Sequence, residues 1–532
     1  MISPSKQQHS NLKLKLLNLA TLLPSPTMHR IIIAFTSLVT LAAIAVTAPA
    51  THAASPRVTL DLNQEWKIHL GDVIVLKDGD AMPAKPDAHK LFVPVGGTGA
   101  GAPGFDDSAW KSVELPYAWQ GEQVRRGERW YNGPVWYRKT LRLDNQLKGK
   151  RSFLRFKAVS RYAQVYLNGE WLGDHKGAFQ AFAFDITDKI KYGGDNLIAV
   201  RADASSLDRT IMPLSGDFMV YCGIYRGVEL IHTAPLHITP LDDGSSGVYI
   251  KPERVAANRA TYQVAVEVAN GSVVATDGQA LVEVRDATGE LVTTGTTDFS
   301  IRAGVTQEVV VKTTLTSPHL WNGKIDPYLY ELTVSLREGG KVTDALTENL
   351  GVRFFRLDNK TGTFFLNGAP YDLHGVAIHQ DFEDRCWALR SEDYLRNIEL
   401  INEIGATCLR CAHYPHARET YDLCDRSGLI VWAENGNVDW CKFDDPAYTA
   451  NFKQQTTELV KQNYNHPSIC FWSLQNEVGL GNDKDPVVAK QKQATNLSGF
   501  VAMDAMVREL DPSFTAASTR VLASGGIPVA GP

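Results

Sequence analysis

The chain has 532 residues, of which 44% are hydrophobic and 21% charged. This composition is typical of a soluble globular protein, and the length predicts about three or four domains. The formal net charge of −5 is small for such a length. It argues against a nucleic-acid-binding surface and leaves a neutral ligand such as a sugar open.

Residues 1–54 differ in character from the rest of the chain. Met28-His29-Arg30 is a charged start, an apolar run follows from Ile31 to Val46, and small residues come next at Ala48-Pro49-Ala50. This order predicts a secretory signal near residues 28–53, preceded by an upstream extension. We therefore expect a periplasmic or secreted protein with no membrane association after cleavage. An uncleaved N-terminal anchor is the alternative, although the apolar run is short for a membrane span.

Two β-rich segments are predicted next, over residues 55–236 and 237–350. Short runs of β-forming residues alternate there with turn signals such as Asn168-Gly169 and Asn270-Gly271. The spacing indicates a β-sandwich in each segment. The predicted strands include Phe153–Phe156, Gln164–Leu167, Leu197–Arg201, Tyr262–Val268, Ala280–Arg285, Gln307–Thr313 and Tyr330–Leu336.

After residue 350, strands and helices alternate, which predicts a parallel α/β sheet over residues 351–532. Only about five units are visible, whereas a closed barrel of this type needs eight. The stretch from Val521 to Pro532 fits neither a helix nor a strand. The predicted strands are Tyr371–Gly375, Thr407–Ala412, Leu429–Glu434, Ser468–Leu474 and Phe514–Ser518, and the helices are Glu392–Ile404, Ala417–Ser427, Tyr448–Tyr464 and Val487–Leu510.

The seven cysteines are scattered and odd in number, so they outline no disulfide framework. Cys408 and Cys411 have a C-x-x-C spacing, but no second pair completes a zinc site. Most of the cysteines are therefore expected to be buried thiols.

Polar residues follow each of the first four strands of the α/β segment. Because the carboxyl ends of parallel strands meet at one face, these side chains are expected to share one cleft. Singly, each has a structural explanation: Arg410 as an ion-pair partner of Glu434, His413 as a core histidine and His379 as a loop residue. Recurrence after four strands favours a functional site. The residues are His379, Asp381 and Asp384, then Arg410, His413 and His416, then Glu434 and Asn435, and finally Asn476 and Glu477.

A cleft of carboxylates, imidazoles and tryptophans suits an uncharged polyhydroxy ligand. Cleavage of a glycosidic bond needs one carboxylic acid to protonate the leaving oxygen, and a second carboxylate that attacks the anomeric carbon or activates water. Glu477 could supply the acid if its surroundings favour the protonated form.

These residues and several motifs resemble glycoside hydrolase family 2, the β-galactosidase and β-glucuronidase family, over nearly the whole chain after the signal. The resemblance implies a jelly-roll sugar-binding domain, an immunoglobulin-like domain and an incomplete (β/α)8 barrel. The motifs are Phe105 to Trp110, Leu115-Pro116, Leu167 to Gly169, Gly223 to Arg226, Leu320-Trp321, Pro327 to Tyr330, Gly351 to Arg353, Phe365 to Gly368, Gly375-Val376, Arg410 to Pro415, Tyr421 to Asp425, Gly428 and Trp472 to Glu477.

The resemblance also implies roles for matching residues. Glu477 would be the general acid/base, and Asn476 would bond the sugar 2-hydroxyl. His379 and His413 would bind the sugar ring, and Arg410 would orient carboxylates beneath it. Asp217 and Glu434 complete the predicted substrate-binding set.

Three departures from the family pattern qualify these roles. Thr407 stands where the family usually has Asn. Asn435-Gly436-Asn437 follows Glu434, so the Glu-and-His pair of magnesium-dependent members is not evident, and Mg²⁺ stays an open cofactor without assigned ligands. The family's nucleophilic Glu falls beyond the fifth barrel strand. The 532-residue chain is therefore expected not to hydrolyse a nitrophenyl β-galactoside, whereas a chain extended through the remaining strands is expected to be active.

The sequence thus predicts a retaining, exo-acting β-galactosidase architecture with a β-galactoside as partner and no nucleic acid. A β-glucuronidase and a non-catalytic galactoside-binding fragment are the alternatives, and a homo-oligomer is left open.

Overall fold

In the computed structural model, the described residues are 56–72, 99–128, 131–205, 209–213, 216, 218–358, 360–479, 483–514 and 521–523. All of these residues belong to one compact unit. The predicted signal segment and Asp217 lie outside the described residues. No helix among those residues has both the length and the apolar character that a membrane crossing requires.

The first domain is a sandwich of two antiparallel sheets, with strand orders β1-β10-β5-β8 and β3-β2-β4-β9-β6-β7. Alternate residues of the strands face a shared core, in which Trp66 meets Tyr137 edge-on with ring centroids 6.4 Å apart. The elements are β1 Val58–Asp61, β2 Trp66–Leu70, β3 Lys111–Val113, α1 Trp119–Arg125, β4 Pro134–Arg142, β5 Arg151–Phe156, β6 Tyr162–Leu167, β7 Glu170–Lys176, β8 Phe182–Asp185, β9 Asp195–Asp203 and β10 Val228–Thr233.

The second domain is a smaller sandwich with its own core of β-branched residues. In one sheet β13 pairs with β11, β12 and β16. The other sheet has the strand order β15-β14-β17-β18. The strands are β11 Leu236–Ile238, β12 Val248–Ala256, β13 Arg259–Asn270, β14 Thr276–Arg285, β15 Leu291–Ile301, β16 Thr306–Thr316, β17 Tyr330–Glu338 and β18 Lys341–Leu350.

The third domain opens with a small antiparallel sheet and continues as a parallel sheet of order β22-β23-β24-β25-β26 among the described residues. Two sandwiches followed by a partial parallel barrel confirm the predicted fold class. The elements are β19 Phe355–Asp358, β20 Thr363–Leu366, β21 Ala369–Pro370, β22 Gly375–Ile378, α2 Ser391–Glu403, β23 Cys408–Cys411, α3 Arg418–Ser427, β24 Ile430–Glu434, α4 Pro446–Gln462, β25 Ile469–Ser473, α5 Pro486–Leu510 and β26 Val521–Ala523.

One strand prediction in this domain was wrong, and a stretch predicted to hold no strand contains one. The first parallel strand is β22, which begins at Gly375, because the preceding Tyr371 instead donates its backbone N–H to Phe364 and extends the small sheet. The fifth strand is β26, which pairs with β25 inside the stretch predicted to be neither helix nor strand. Residues 515–520, which hold most of the predicted fifth strand, lie outside the described part of the chain.

Local sequence signals set the helix boundaries of the barrel. Helix α4 begins with Pro446, and the Asp445 carboxylate before it accepts a hydrogen bond from the Ala447 backbone N–H at 2.9 Å. Helix α3 ends at Gly428, which has a φ of +70° and whose absent Cβ would lie 2.1 Å from the backbone oxygen of Gly323. Glycine is therefore required here on both conformational and steric grounds.

The first domain packs against the barrel helix α4 through buried polar contacts. His175 Nε2 lies 2.9 Å from Glu458 Oε1, and Asn451 Nδ2 donates to the Lys176 backbone oxygen at 2.9 Å. Gln180 Nε2 donates to the Gln455 backbone oxygen at 3.0 Å. These bonds fix the first domain over the barrel, and its loops reach the carboxyl ends of the barrel strands.

The cysteines are free thiols, and Cys408 alone among them is partly exposed. This confirms the prediction that most of the cysteines are buried thiols.

Candidate active site

The carboxyl ends of β22 to β25 meet at one face, as the parallel register requires. Arg410 on β23 lies opposite Ala377 on β22 and Trp432 on β24, and Glu434 at the end of β24 lies opposite Ser473 on β25. The side chains predicted to follow these strands therefore start from neighbouring positions.

A buried carboxylate, Glu434, lies at the centre of the cluster and is 1% exposed. Arg410 donates to it from Nε at 3.1 Å and from Nη2 at 3.0 and 3.2 Å. Trp432 Nε1 and Ser473 Oγ each donate to Oε1 at 3.2 Å. With these donors around it, the Glu434 carboxylate is enclosed beneath the site, and its predicted contact with substrate stays a prediction.

Arg410 joins this buried carboxylate to the surface of the pocket. Its Nη2 donates to Asn476 Oδ1 at 2.5 Å and lies 3.1 Å from His413 Nδ1. His413 Nδ1 also lies 3.1 Å from Glu434 Oε2. One guanidinium thus contacts a carboxylate, an amide and an imidazole, while the predicted role of Arg410 in orienting carboxylates stays a prediction.

The two histidines stand against an aromatic wall. The His379 and His413 rings are 5.1 Å apart and nearly perpendicular, and His379 Nδ1 lies 3.0 Å from the Tyr414 hydroxyl. Tyr414 is fully buried and stacks on Phe179 of the first domain at 4.5 Å with an interplanar angle of 6°. Phe218, also from the first domain, lies 5.2 Å from the His379 ring and 6.1 Å from the His413 ring.

Glu477 follows directly on the oriented Asn476. Asn476 is 7% exposed, whereas Glu477 is exposed and, among the described residues, its carboxylate accepts no hydrogen bond. The backbone φ of Glu477 is +51°, a conformation that costs a non-glycine residue about 1 kcal/mol. The surrounding backbone contacts hold it there: Asn476 N–H donates to the Asn437 oxygen at 2.8 Å and Gly479 N–H to the Asp439 oxygen at 3.0 Å.

A second acidic residue, Asp381, lies on the same wall. Burial by the neighbouring side chains raises the pKa of its carboxyl, and interactions with the Tyr221 hydroxyl and with His379 partly offset the rise. Asp381 nevertheless keeps much of its own surface exposed. Burial also raises the pKa of the Tyr221 hydroxyl, which faces Asp381 and Cys386.

His416 lies beneath the loop that carries His413. It is 3% exposed, and its Nε2 lies 3.3 Å from the Ala412 backbone oxygen. Burial lowers the pKa of His416 from 6.5 to about 3, and the nearby Arg226 guanidinium adds to the effect. His416 is therefore neutral at ordinary pH and supports the loop from below.

The donor set around Glu434 does not fit Mg²⁺. A divalent cation needs free oxygen ligands, whereas both Glu434 oxygens already accept from Arg410 and further donors. Of the described residues, Asp422, Asp425 and His466 have ligand-like spacing elsewhere in the barrel. There the Asp425 carboxylate lies 2.6 Å from His466 Nδ1 and accepts a hydrogen bond from the Ser468 backbone N–H at 3.0 Å, as in a structural ion pair.

A separate cavity of about 380 Å³ lies at the junction of the three domains. Its charged walls are paired with one another: Arg155 lies 3.3 Å from Glu229, Lys157 lies 3.1 Å from Glu229, and Arg418 lies 2.5 Å from Glu348. Phe179 and His416 line this cavity from the side of the proposed pocket, but His379, Arg410, His413, Glu434, Asn476 and Glu477 do not, and its shape matches a crevice between packed domains.

The structure thus brings together His379, Arg410, His413, Glu434 and Asn476, with Glu477 next in the chain. Asp217 lies outside the described residues, so its place in the pocket stays a prediction. Sequence reasoning missed the roles of Phe218 and Phe179, which come from the first domain. Phe218 could have been found in the sequence because it is an aromatic residue directly after the predicted Asp217.

Three family models match the chain in succession. "Glycosyl hydrolases family 2, sugar binding domain" matches residues 62–234, "Glycosyl hydrolases family 2" matches residues 243–353, and "Glycosyl hydrolases family 2, TIM barrel domain" matches residues 357–513. Together they cover most of the chain, including every strand end described above.

Known relatives carry two different names. The chain is 38% identical to a beta-glucuronidase of Bacteroides fragilis over 393 residues, which are 72% of this chain and 56% of that protein. It is 30% identical to beta-galactosidase BoGH2A of Bacteroides ovatus over 437 residues, 80% of this chain and 47% of that protein. The chain therefore spans about half the length of these relatives.

A solved structure shares the fold. Beta-glucuronidase 2 of Bacteroides uniformis, covalently bound to cyclophellitol-6-carboxylate aziridine, matches with a TM-score of 0.78 and 29% identity. The match covers 88% of this chain and 52% of that one.

Proposed function

The chain belongs to glycosyl hydrolase family 2, and on this basis we propose that its strand-end pocket is the site of a retaining, exo-acting β-glycosidase. One observation supports the proposal above all others. Arg410 holds Glu434, His413 and Asn476 in one contact network, directly before the exposed carboxylate of Glu477. An ion pair with a buried carboxylate that orients groups beside an exposed acid is an arrangement suited to general acid/base catalysis.

In this proposal, Glu477 protonates the glycosidic oxygen as the bond breaks and then deprotonates the incoming water. Its carboxylate is exposed, and it directly follows Asn476, whose side-chain oxygen accepts from Arg410. The nucleophilic carboxylate of a retaining mechanism would stand across the sugar from Glu477.

The proposed sugar contacts follow from which atoms are already occupied. Asn476 Oδ1 accepts from Arg410, so its amide NH₂ is the group left to donate to a sugar hydroxyl. His413 uses Nδ1 toward Arg410 and Glu434, so Nε2 is the nitrogen that can meet a hydroxyl. His379, fixed by Tyr414, stands beside it.

For the substrate we propose a β-galactoside, since Arg410, the guanidinium of the contact network, is committed to Glu434 and Asn476 rather than directed at a sugar carboxylate. A β-glucuronide is the second candidate. It is favoured by the names of the Bacteroides fragilis relative and of the Bacteroides uniformis structure, which are both beta-glucuronidases.

A glycoside panel tests the proposal. Binding of galacto-, gluco- and glucurono-configured β-thioglycosides to the 532-residue chain is measured by calorimetry. Hydrolysis of the matching 4-nitrophenyl glycosides is measured for this chain and for one extended through eight barrel strands. The proposal is supported if the chain binds one glycoside selectively and His413→Ala weakens that binding. It is supported further if hydrolysis is observed and Glu477→Gln removes it. Sugar binding without hydrolysis by either the 532-residue chain or the extended chain would contradict the proposal and favour the non-catalytic sugar-binding alternative.

We also propose that the protein is exported through its N-terminal signal. Edman sequencing of the protein from a secreting host should give an N-terminus near residue 54, whereas retention of Met28 would contradict export with cleavage.

A further inference from the structure

An exposed indole, Trp440, stands in the loop beside the proposed acid/base. Its side chain is 52% exposed. Among the described residues, only Trp171 on β7 of the first domain is a comparably exposed tryptophan, at 45%. Single exposed apolar residues are common on protein surfaces, so the exposure alone carries no argument. The position of Trp440 does.

The backbone around Trp440 is bonded to both sides of Glu477. The N–H of Asp439 donates to the Asn476 oxygen at 3.1 Å, and the N–H of Gly479 donates to the Asp439 oxygen at 3.0 Å. Val438 and Asn476 also form a parallel bridge. Trp440 is the next residue after Asp439, so it stands at the carboxyl face of the sheet, one peptide unit from the backbone that brackets Glu477.

The loop presents Trp440 from a fixed turn. Its N–H donates to the Val438 oxygen at 2.7 Å, across Asp439 with a φ of +60°. Val438 is 1% exposed and Cys441 is 8% exposed, so buried side chains anchor the turn on both flanks while the indole between them faces water. A loop held by backbone hydrogen bonds that presents one exposed aromatic residue is suited to ligand contact.

Chemistry determines what such a ligand part would be. The acid/base must lie within hydrogen-bonding distance of the glycosidic oxygen, so the leaving group extends from the sugar on the side of Glu477. We propose that Trp440 forms part of the leaving-group site and that the preferred leaving group carries a ring, a second sugar unit, whose flat C–H face packs on the indole. This inference rests on the proposed function, because it requires Glu477 to be the acid/base.

The test compares ligands that share the terminal sugar and differ beyond it. Calorimetric binding to the 532-residue chain is measured for three β-thioglycosides of the sugar chosen by the panel: methyl, phenyl and a thio-linked disaccharide. Sulfur in place of the glycosidic oxygen resists hydrolysis. Trp440→Ala should weaken the disaccharide by about threefold to tenfold, the range of one aromatic stacking contact. The methyl ligand should change less than twofold, and Trp440→Phe should retain most of the disaccharide affinity.

Trp171→Ala is the matched control and should leave all three affinities unchanged. Equal weakening of the methyl and disaccharide ligands, or no weakening of either, overturns the inference while selective sugar binding still stands. If Trp440→Ala weakens binding of the phenyl ligand alone, the preferred leaving group is an aryl group and the proposal of a sugar unit is overturned. If none of the ligands binds, or if His413→Ala has no effect on the methyl ligand, the proposed function fails first and takes this inference with it. Thermal unfolding of each variant verifies that the fold is intact.

Discussion

Arg410 Nη2 donates to the side-chain oxygen of Asn476 at 2.5 Å, although the two residues are 66 positions apart in the chain. Arg410 lies on β23 and Asn476 lies just after β25, with β24 between these strands in the sheet. The same guanidinium neutralises Glu434, which is 1% exposed. The geometry of the pocket surface therefore depends on an ion pair beneath it, and both can be tested separately.

Removing the guanidinium should affect stability as well as binding. Arg410→Met leaves the buried Glu434 carboxylate with only neutral donors and His413. Because the Arg410 side chain is partly exposed, the cost should be about 2 kcal/mol, below that of a fully buried pair. Urea unfolding at pH 7 should show a lower midpoint with an unchanged slope. The double variant Arg410→Met with Glu434→Gln should recover much of the lost stability but none of the sugar affinity. Full stability of the single variant would show that the pair is not needed to hold Glu434.

The Tyr414 hydroxyl should orient His379 without contacting sugar. Tyr414→Phe keeps the stacking on Phe179 and removes one hydrogen bond to His379 Nδ1, worth about 1 kcal/mol. Sugar binding should weaken about fivefold in wild-type background and hardly at all when His379 is already alanine. Additive losses in the two variants would contradict an effect of Tyr414 through His379.

Stability should fall in acid through His416. Its pKa is lowered from 6.5 to about 3, so the unfolded chain takes up a proton below pH 6.5 that the folded chain refuses. His416 does not affect the free energy of unfolding above pH 6.5. As the pH falls from 6.5 toward 3, it lowers that free energy progressively, by about 2 kcal/mol at pH 5. His416→Gln should make the free energy of unfolding less dependent on pH by about one proton over this range. The same substitution at the exposed His374 serves as the control, and an unchanged pH slope in His416→Gln would contradict this account.

Much of the fold was predictable because its signals are local. Alternating β-formers mark the sandwiches, and Asp445 with Pro446 or Gly428 marks helix ends. The first barrel strand was misplaced because the apolar residues around Tyr371 pack beneath the sheet instead of within it, with Tyr371 in the cluster that surrounds Trp321. Strand β26 spans only Val521–Ala523, too few residues for a periodic pattern to show.

The site was predictable where one strand end carries the residue and the parallel register brings the ends together, as for His379, Arg410 and Asn476. The aromatic wall was not. Phe218 and Phe179 meet His379 and Tyr414 through packing between two domains, and no periodicity in one segment reports such a contact. The enclosure of Glu434 also depends on Ser473 and Trp432, whose side chains are directed by the sheet rather than by a motif.

The most direct test of the account asks whether Glu477 faces the sugar pocket as an acid. A glycoside-derived imidazole places a basic ring nitrogen where the glycosidic oxygen would be, so its affinity depends on a charge-assisted bond from the acid/base carboxyl. Calorimetry on the 532-residue chain compares this imidazole with the methyl β-thioglycoside of the same sugar. Glu477→Gln should weaken the imidazole by at least about tenfold and the thioglycoside by less than threefold, with Glu403→Gln on the exposed face of α2 as the control. Equal affinities for both ligands in wild type and Glu477→Gln would show that Glu477 does not reach the glycosidic bond.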